Sequence, residues 1–509
     1  VFTDFKPANE KEGILMDKNN GAIYDARKLG KPKMIILGVQ HMFAMFGATI
    51  LVPILTGLDI STTLLMAGLG TLLFHCITKF KVPAFLGSSF AFLGGYAAIK
   101  AFSPNDPNSM LPYACLGVAC AGLIYFILAA VIKAVGVEKV MRFFPPVVTG
   151  PIIIAIGLGL APSAVSNCTT NWFLAVVALA VIVVFNIWGK GMAKIIPIIL
   201  GLLISYGTGL VLYFISQANP DLIQNVPWLF SGGADANGVY QPIFDFTSLN
   251  TICDNISKGH IFGSEGLIGI PIHWDKTVFG GIDYSNGALI ASSIIAIVPI
   301  AFATMMEHIG DICAISSTTG NNYIKDPGLH RTLVGDGLAT TLASLFGGPA
   351  NTTYGENTGV LALTRVYDPR VIRIAAYFAV AVSFFPIVSV IIGSIPSCII
   401  GGISFVLYGM ISAIGVRNVV ENKVDFTKSR NLIVAAVILV CALGLSSDTV
   451  SFTIGSAAIT LSPLAVASIA GIVLNAVFPG KDYKFDTEDV ADAVNFEKEV
   501  KPKEKKQKK

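Results

Sequence analysis

The chain has 509 residues, 53% of them hydrophobic and 13% charged, with a mean hydropathy of +0.70. Soluble domains carry about 25% charged residues, so this balance excludes a soluble protein and gives a polytopic membrane protein, with the lipid bilayer as its first partner. The net charge of +3 decides nothing by its sum. Eight cysteines without a CxxC pair give no zinc or dithiol pattern, and no metal site, cofactor or nucleic-acid partner is expected.

Residues 1–33 are polar and mixed in charge, without the apolar core of a signal peptide. They read as a cytoplasmic lead-in, and the first span is expected to act as its own insertion signal. Apolar runs near the roughly 20 residues needed to cross a bilayer then recur. In the first half they fall at 34–56, 59–79, 84–101 (broken near Gly87), 112–136, 145–163, 171–188 and 194–216. In the second half they fall at 287–315, 331–347, 349–364 (broken), 371–394, 396–416, 430–445 and 461–479. Fourteen is even, so both termini share one side. Lys79 and Lys81, then Lys133, Lys139 and Arg142, then Lys190 and Lys194 lie in alternate loops. Arg365, Arg370 and Arg373, then Arg417, Lys423, Lys428 and Arg430 continue the series. The positive-inside rule makes that side cytoplasmic, which predicts a multi-pass cell-membrane protein with both ends inside. The lysine-rich tail 480–509 agrees.

The segment 218–286 falls outside. It is acidic, and its Trp228, Pro242, Pro271 and Trp274 suggest an ordered cap rather than a linker. Cys168 and Cys253 share that side, which admits a disulfide between them.

Each half contains one broken span. Phe85-Leu-Gly-Ser-Ser-Phe90 interrupts the third, and Asn351 to Glu356 interrupts the tenth. Paired breaks at corresponding places point to an inverted-repeat transporter with its site between them. Seven spans is odd, so the second half inserts upside down relative to the first. Non-helical backbone at membrane depth is tolerated only where protein buries it or a cavity exposes it.

The stretch Gly347-Gly-Pro-Ala-Asn-Thr-Thr-Tyr-Gly-Glu-Asn-Thr-Gly359 places Glu356 at that depth. A carboxylate there costs roughly 2.5–3.5 kcal/mol on insertion scales and marks function. Glu307 and Asp311, at i and i+4, put two more carboxylates on one helix face. Two such groups in low dielectric do not both ionise readily, which suits proton coupling. His41 and His308 read as hydrogen-bonding residues, and His75 as an interfacial one. Asp336 reads as structural or as lining the exit. Carboxylates accept N–H groups, unwound amides donate to carbonyls, and Phe90, Phe46 and Tyr354 offer ring contacts. These residues reach a transporter of a small polar solute and do not choose the solute.

The run Glu356-Asn-Thr-Gly359-Val-Leu-Ala-Leu-Thr364-Arg365 resembles the signature of the nucleobase–ascorbate transporter, or nucleobase–cation symporter, family. Gln40 to Ala48, Pro83 to Phe92, Asp326 to Arg331, Asn351 to Asn357 and Gly401 to Gly409 resemble its uracil-transporting bacterial branch. The likeness covers about 34–216 and 287–480, in order, and leaves out the outer loop.

It implies an all-α polytopic fold of 14 transmembrane segments in two inverted 7-segment repeats, with short strands in broken segments 3 and 10. It implies a core domain (34–136 and 287–394) and a gate domain (137–217 and 395–479), with the gate mediating a homodimer. The resemblance further implies that Glu307 and Glu356 engage the base. Backbone amides of Phe90 and Gly355 would contact it, and Ala48 and Tyr354 would line the pocket. Proton coupling would fall to Glu307, Asp311 and Glu356.

Position 311 departs from the pattern, since the uracil branch has His there. Asp311 looks like the xanthine and urate branch, which has Gln at the place of Glu356. Sodium therefore stays open beside the proton. The expected activity is proton-coupled uracil import by alternating access, with xanthine, urate or broader nucleobase symport as the alternative. An anion carrier would want cationic groups at the site, an enzyme a nucleophile–base set, and a channel no saturable rate.

Overall fold

The computed structural model describes residues 22–445, 451–454 and 457–480. The side chains of Met192, Ile195, Glu356 and 446–460 lie outside the described residues, as do most of the lead-in and the lysine-rich tail.

Among the described residues the polypeptide is all-α apart from three short strand pairs, and seven helices are long and apolar enough to cross a bilayer. They are span 1 (Lys31–Thr56), span 2 (Ile60–Ile77), span 4 (Leu111–Val135), span 5 (Pro146–Cys168), span 7 (Pro197–Ala218), span 8 (Gly287–Ile297 continued by Ala301–Thr319) and span 12 (Ser397–Glu421). Shorter apolar helices supply span 6 (Trp172–Trp188), span 13 (Ser429–Gly444) and span 14 (Pro463–Val477). Span 9 is Leu329–Leu345 and span 11 is Pro369–Ser383. Spans 3 and 10 are half strand and half helix. Span 3 is β1 (Leu86–Ser88) followed by the helix Leu93–Lys100. Strands β2 (Ser231–Ala234) and β3 (Tyr240–Pro242) pair within the long cap between spans 7 and 8. Span 10 is β4 (Asn351–Thr353) followed by the helix Gly355–Thr364. Fourteen segments result, seven in each half.

The predicted span 371–394 ends early. After Ser383 the chain turns by 88° into a separate helix, Pro386–Gly393. Pro386 has no N–H to continue the span and is favoured at the first position of a new helix. A hairpin that the sequence reading did not separate, β5 (Ser451–Ile454) with β6 (Ala457–Thr460), precedes span 14. The disulfide does not form. Cys168 is buried at the end of span 5, Cys253 is exposed on the cap helix Thr247–Ser257, and both are free.

The helices sort into two groups by packing. Spans 1, 2, 4, 8, 9 and 11 pack on one another and around both broken spans. Spans 5, 6, 7, 12, 13 and 14 pack on one another. With no hydrophobic driving force between helices in lipid, close backbone approach has to hold such groups together. Gly122 of span 4 and Gly337 of span 9 show it. A Cβ on Gly122 would lie 2.7 Å from the Gly337 carbonyl oxygen, and one on Gly337 would lie 2.6 Å from that of Gly122.

The end of the lead-in is ordered. Ile23 bridges Val366 in parallel, and the Tyr24 hydroxyl donates to the Thr319 carbonyl at 2.7 Å. The hydrogen-bonding Arg27 guanidinium holds the Asp25 carboxyl down to about 2. Residues 22–30 thus tie the C-terminal ends of spans 8 and 10.

Gly122→Leu is expected to cost about 1–3 kcal/mol through overpacking, seen as a lower Tm in detergent. Gly207→Leu, where nothing lies within 4 Å of the added Cβ, should leave Tm unchanged.

Candidate functional site

The two broken spans meet. β1 and β4 pair antiparallel with Leu86 opposite Thr353, Gly87 opposite Thr352 and Ser88 opposite Asn351. The Ser89 amide adds a bond to the Ala350 carbonyl (3.0 Å), and the Tyr354 amide one to the Phe85 carbonyl (2.9 Å). Each strand thereby satisfies the other's backbone, as unwound chain inside a bilayer must. Side chains complete the joint. Thr71 Oγ1 accepts from the Leu86 amide at 2.9 Å, Thr340 Oγ1 donates to the Asn351 carbonyl at 2.9 Å, and Asn351 Nδ2 donates to the Met66 carbonyl at 2.7 Å.

A half-helix leaves each strand. The first amides of a helix have no intrahelical acceptor and form its positive dipole end. Phe90 opens the short 3-10 turn that leads into the helix of span 3, and Gly355 opens the helix of span 10. The amides of Phe90 and Gly355 are therefore at the two helix starts.

Asp311 lies against the second start. Its Oδ2 accepts from Thr353 Oγ1 at 3.1 Å, and a Cβ built on Gly355 would sit 3.3 Å from its Oδ1. Thr353 is a hub. Its Oγ1 also lies 3.2 Å from His308 Nδ1, and its amide donates to Asp336 Oδ1 at 2.9 Å. His308 and Asp336 are wholly buried, 3.4 Å apart. Span 8 therefore joins span 10 through Asp311 and His308, and span 9 joins it through Asp336. Glu307, on the same helix as Asp311, is half-buried.

Tyr354 does not fill the role of a free ring. It is 5% exposed, and its hydroxyl donates to the Ser88 carbonyl at 2.9 Å and accepts from Thr49 Oγ1 at 3.3 Å. Its ring covers Gly87, where a Cβ would come within 2.6 Å of it. Ser88 Oγ donates back to the Thr49 carbonyl at 3.0 Å. This clamp pins span 1, beside the buried Ala48, to both strands. Phe90 is buried and meets the Tyr408 ring of span 12 edge-on at 6.0 Å, so it sits at the seam between the two helix groups. Phe46 instead lines an apolar cavity of about 140 Å³ with Gly47, Ile50, Ile198 and Leu202.

The structure brings together Asp311, Gly355 and Tyr354 around the strand pair. Glu356 lies in the first helical turn after β4, and its side chain is outside the described residues. His41 is buried with Asn357 Nδ2 at 3.3 Å from its Nδ1, the hydrogen-bonding role expected. His75 lies in the last turn of span 2. It is wholly buried, with Nε2 2.8 Å from the Ala84 carbonyl. Sequence reasoning gave no role to Thr353, Thr49 or Tyr408. Thr353 and Tyr408 lie inside motifs it quoted, but a hydroxyl in an apolar run does not announce which neighbour it will bond. Among the described residues no group of three His, Cys, Asp or Glu could hold a metal ion.

A model described as the permease family matches residues 32–451. The chain belongs to the nucleobase–ascorbate transporter family. The matched range takes in the segment 218–286, which the motifs alone left out. Within this family the chain is 38% identical to a uracil permease of Bacillus caldolyticus, over 88% of this chain and 92% of that one. It is 37% identical to a uracil permease of Bacillus subtilis, over 89% and 94%. A putative pyrimidine permease, RutG, of Escherichia coli is 34% identical over 91% and 93%. The transmembrane domain of the cyanobacterial bicarbonate transporter BicA shares the fold, with a TM-score of 0.53 at 13% identity, covering 89% of this chain and 99% of that one. This is the fold of two inverted seven-segment repeats, and the chain is a multi-pass membrane protein of that kind.

Thr353→Val removes the hydroxyl shared by Asp311 and His308. Losing such a buried hydrogen bond costs about 0.5–1.5 kcal/mol, so Tm should fall, and Thr353→Ser should restore it.

Proposed function

We propose that this transporter imports uracil together with a proton. The observation that carries the reading is the strand pair β1–β4. It joins two half-helix starts, the second of them beside the Asp311 carboxylate, in a chain whose relatives at 37–38% identity are named uracil permeases. A pyrimidine ring with alternating N–H and C=O groups needs both acceptors and donors. Glu307 and Glu356 accept its N–H groups. The amides of Phe90 and Gly355 donate to its carbonyls, and Ala48 and Tyr354 close the pocket, Tyr354 through its backbone and its clamp on Ser88 rather than through a free ring.

Glu307, Asp311 and Glu356 carry the coupling proton. A charge entering down about 100 mV supplies roughly 2.3 kcal/mol, enough for about a 50-fold gradient of substrate. The group of spans 1–4 and 8–11 acts as the core and that of spans 5–7 and 12–14 as the gate. Core motion against the gate, with Phe90 at the seam, exposes the site alternately to either side. The gate group also forms the homodimer contact, and both termini are cytoplasmic.

Uptake of radiolabelled uracil into proteoliposomes tests the assignment, with xanthine, urate and hypoxanthine as competitors, at two pH values, with and without sodium. Competition by uracil alone and stimulation by an inward proton gradient are expected. Preference for xanthine would follow the Asp311 signature instead, and sodium dependence would replace the proton. Glu356→Gln loses a charge-assisted hydrogen bond worth about 1.5–3 kcal/mol, a loss in uracil affinity of about 10–100-fold. Unchanged uptake would remove Glu356 from the site. Asp311→Asn should abolish the pH dependence of uptake while leaving uracil binding within a few-fold of wild type.

A further inference from the structure

The outer segment 218–286 stands on both helix groups, and its two feet are built differently. The first foot rests on spans 6 and 7 and is a packed aromatic core. The Phe244 ring lies 4.8 Å from that of Tyr206 and 5.9 Å from that of Tyr213, and it stacks on Phe246 at 5.2 Å. Phe230, Ile243 and Phe244 are buried. Asn171, which caps span 6, donates through Nδ2 to the carbonyls of Leu229 (3.2 Å) and Ser231 (2.9 Å).

The chain then crosses the seam. The cap helix Thr247–Ser257 leans on the kinked helix Pro386–Gly393, and Ile252 is its one buried residue. The second foot rests on the other helix group and is polar and thin. Thr62 Oγ1 donates to the Pro271 carbonyl at 2.7 Å, and the Gly269 amide donates to the Phe384 carbonyl at 2.9 Å. His273 Nε2 lies 3.6 Å from Asp59 Oδ2. Beneath it opens a cavity of about 140 Å³ lined by Asp59, Ser61, Ser264, Gly269, His273 and Ser389. Phe262 and Ile270 are 79% and 76% exposed, and half-buried Ile272 packs on Leu65 and Met66 of span 2, so this foot buries less apolar surface than the aromatic one. Glycines at positive φ, Gly259 (+86°) and Gly263 (+128°), give the stretch before it backbone freedom that other residues lack. Past the foot, Tyr113 of span 4 accepts from the Asp283 amide at 3.0 Å, which fixes the return into span 8.

We propose that this segment is a clasp across the extracytoplasmic seam, and that its polar foot, residues 258–273, lets go of spans 2 and 11 in each transport cycle while its aromatic foot stays on spans 6 and 7. The inference rests on the reading that the two helix groups move against each other. A segment fastened to both must yield somewhere, and local opening starts where few apolar contacts are buried and backbone bonds face solvent.

Thr62→Cys with Pro271→Cys, positions joined by the 2.7 Å bond from the Thr62 hydroxyl to the Pro271 carbonyl, tests the clasp in proteoliposomes. Oxidation should cut uracil uptake at least tenfold, with uracil binding retained and uptake restored by reductant. Unchanged uptake in the bridged protein would overturn the proposal. Hydrogen–deuterium exchange of the wild-type chain gives a second reading that needs no variant. Peptides from 258–273 should exchange at least tenfold faster than those from 227–246, and equal rates would sink the clasp. Exchange is read without substrate, so a chain that carries another solute would fail the uracil reading and leave this one standing.

Discussion

Everything in this fold hangs on one constraint, that peptide groups at membrane depth must find partners without water. Twelve spans meet it along their own helices. Spans 3 and 10 do not, because Gly87, Pro349 and Gly355 interrupt them. They meet it by pairing with each other, β1 on β4. The surrounding helices then supply hydroxyls and amides wherever the three-residue ladder runs out, as Thr71, Thr340 and Asn351 do. The site is a by-product of that repair. Two half-helices begin where the strands end, and the second begins beside the Asp311 carboxylate, which would be costly in contact with lipid.

Thr353 concentrates the arrangement. One residue binds Asp311 and His308 through its hydroxyl and Asp336 through its amide, so spans 8, 9 and 10 share a single polar joint. Tyr354 does the same for spans 1 and 3 through Thr49 and Ser88. Neighbouring residues of one strand end thus hold five spans. Buried polar networks stiffen the geometry of the elements they join, although His308 Nε2 and Asp336 Oδ2 in this one are buried without a hydrogen-bond partner.

Most of the architecture was legible because hydropathy and basic loops report directly on membrane crossing. The breaks near Gly87 and at 351–356 were legible because glycine, proline and a carboxylate contradict an uninterrupted helix. The 88° turn after Ser383 was not, since Ile387 to Ile392 remain as apolar as a span and only Pro386 marks the corner. The interior place of His75 was hidden for a related reason. Its partner is a backbone carbonyl, Ala84, and carbonyls leave no trace in a sequence. The register Leu86–Thr353 was likewise beyond reading, because pairing between segments 265 positions apart depends on how the two halves dock.

That separation has a consequence for biogenesis. The ribosome delivers β1 long before β4, and at about 5–20 residues per second the interval for 265 residues is roughly 13–50 s. Throughout it the first half holds an unpaired strand that lipid cannot accept. The nascent chain must keep Leu86–Ser88 at an aqueous or chaperoned position, inside the insertion machinery or at its edge, until the second half arrives. Neither repeat is then a finished folding unit, and the carrier is completed only when its two halves close on one another.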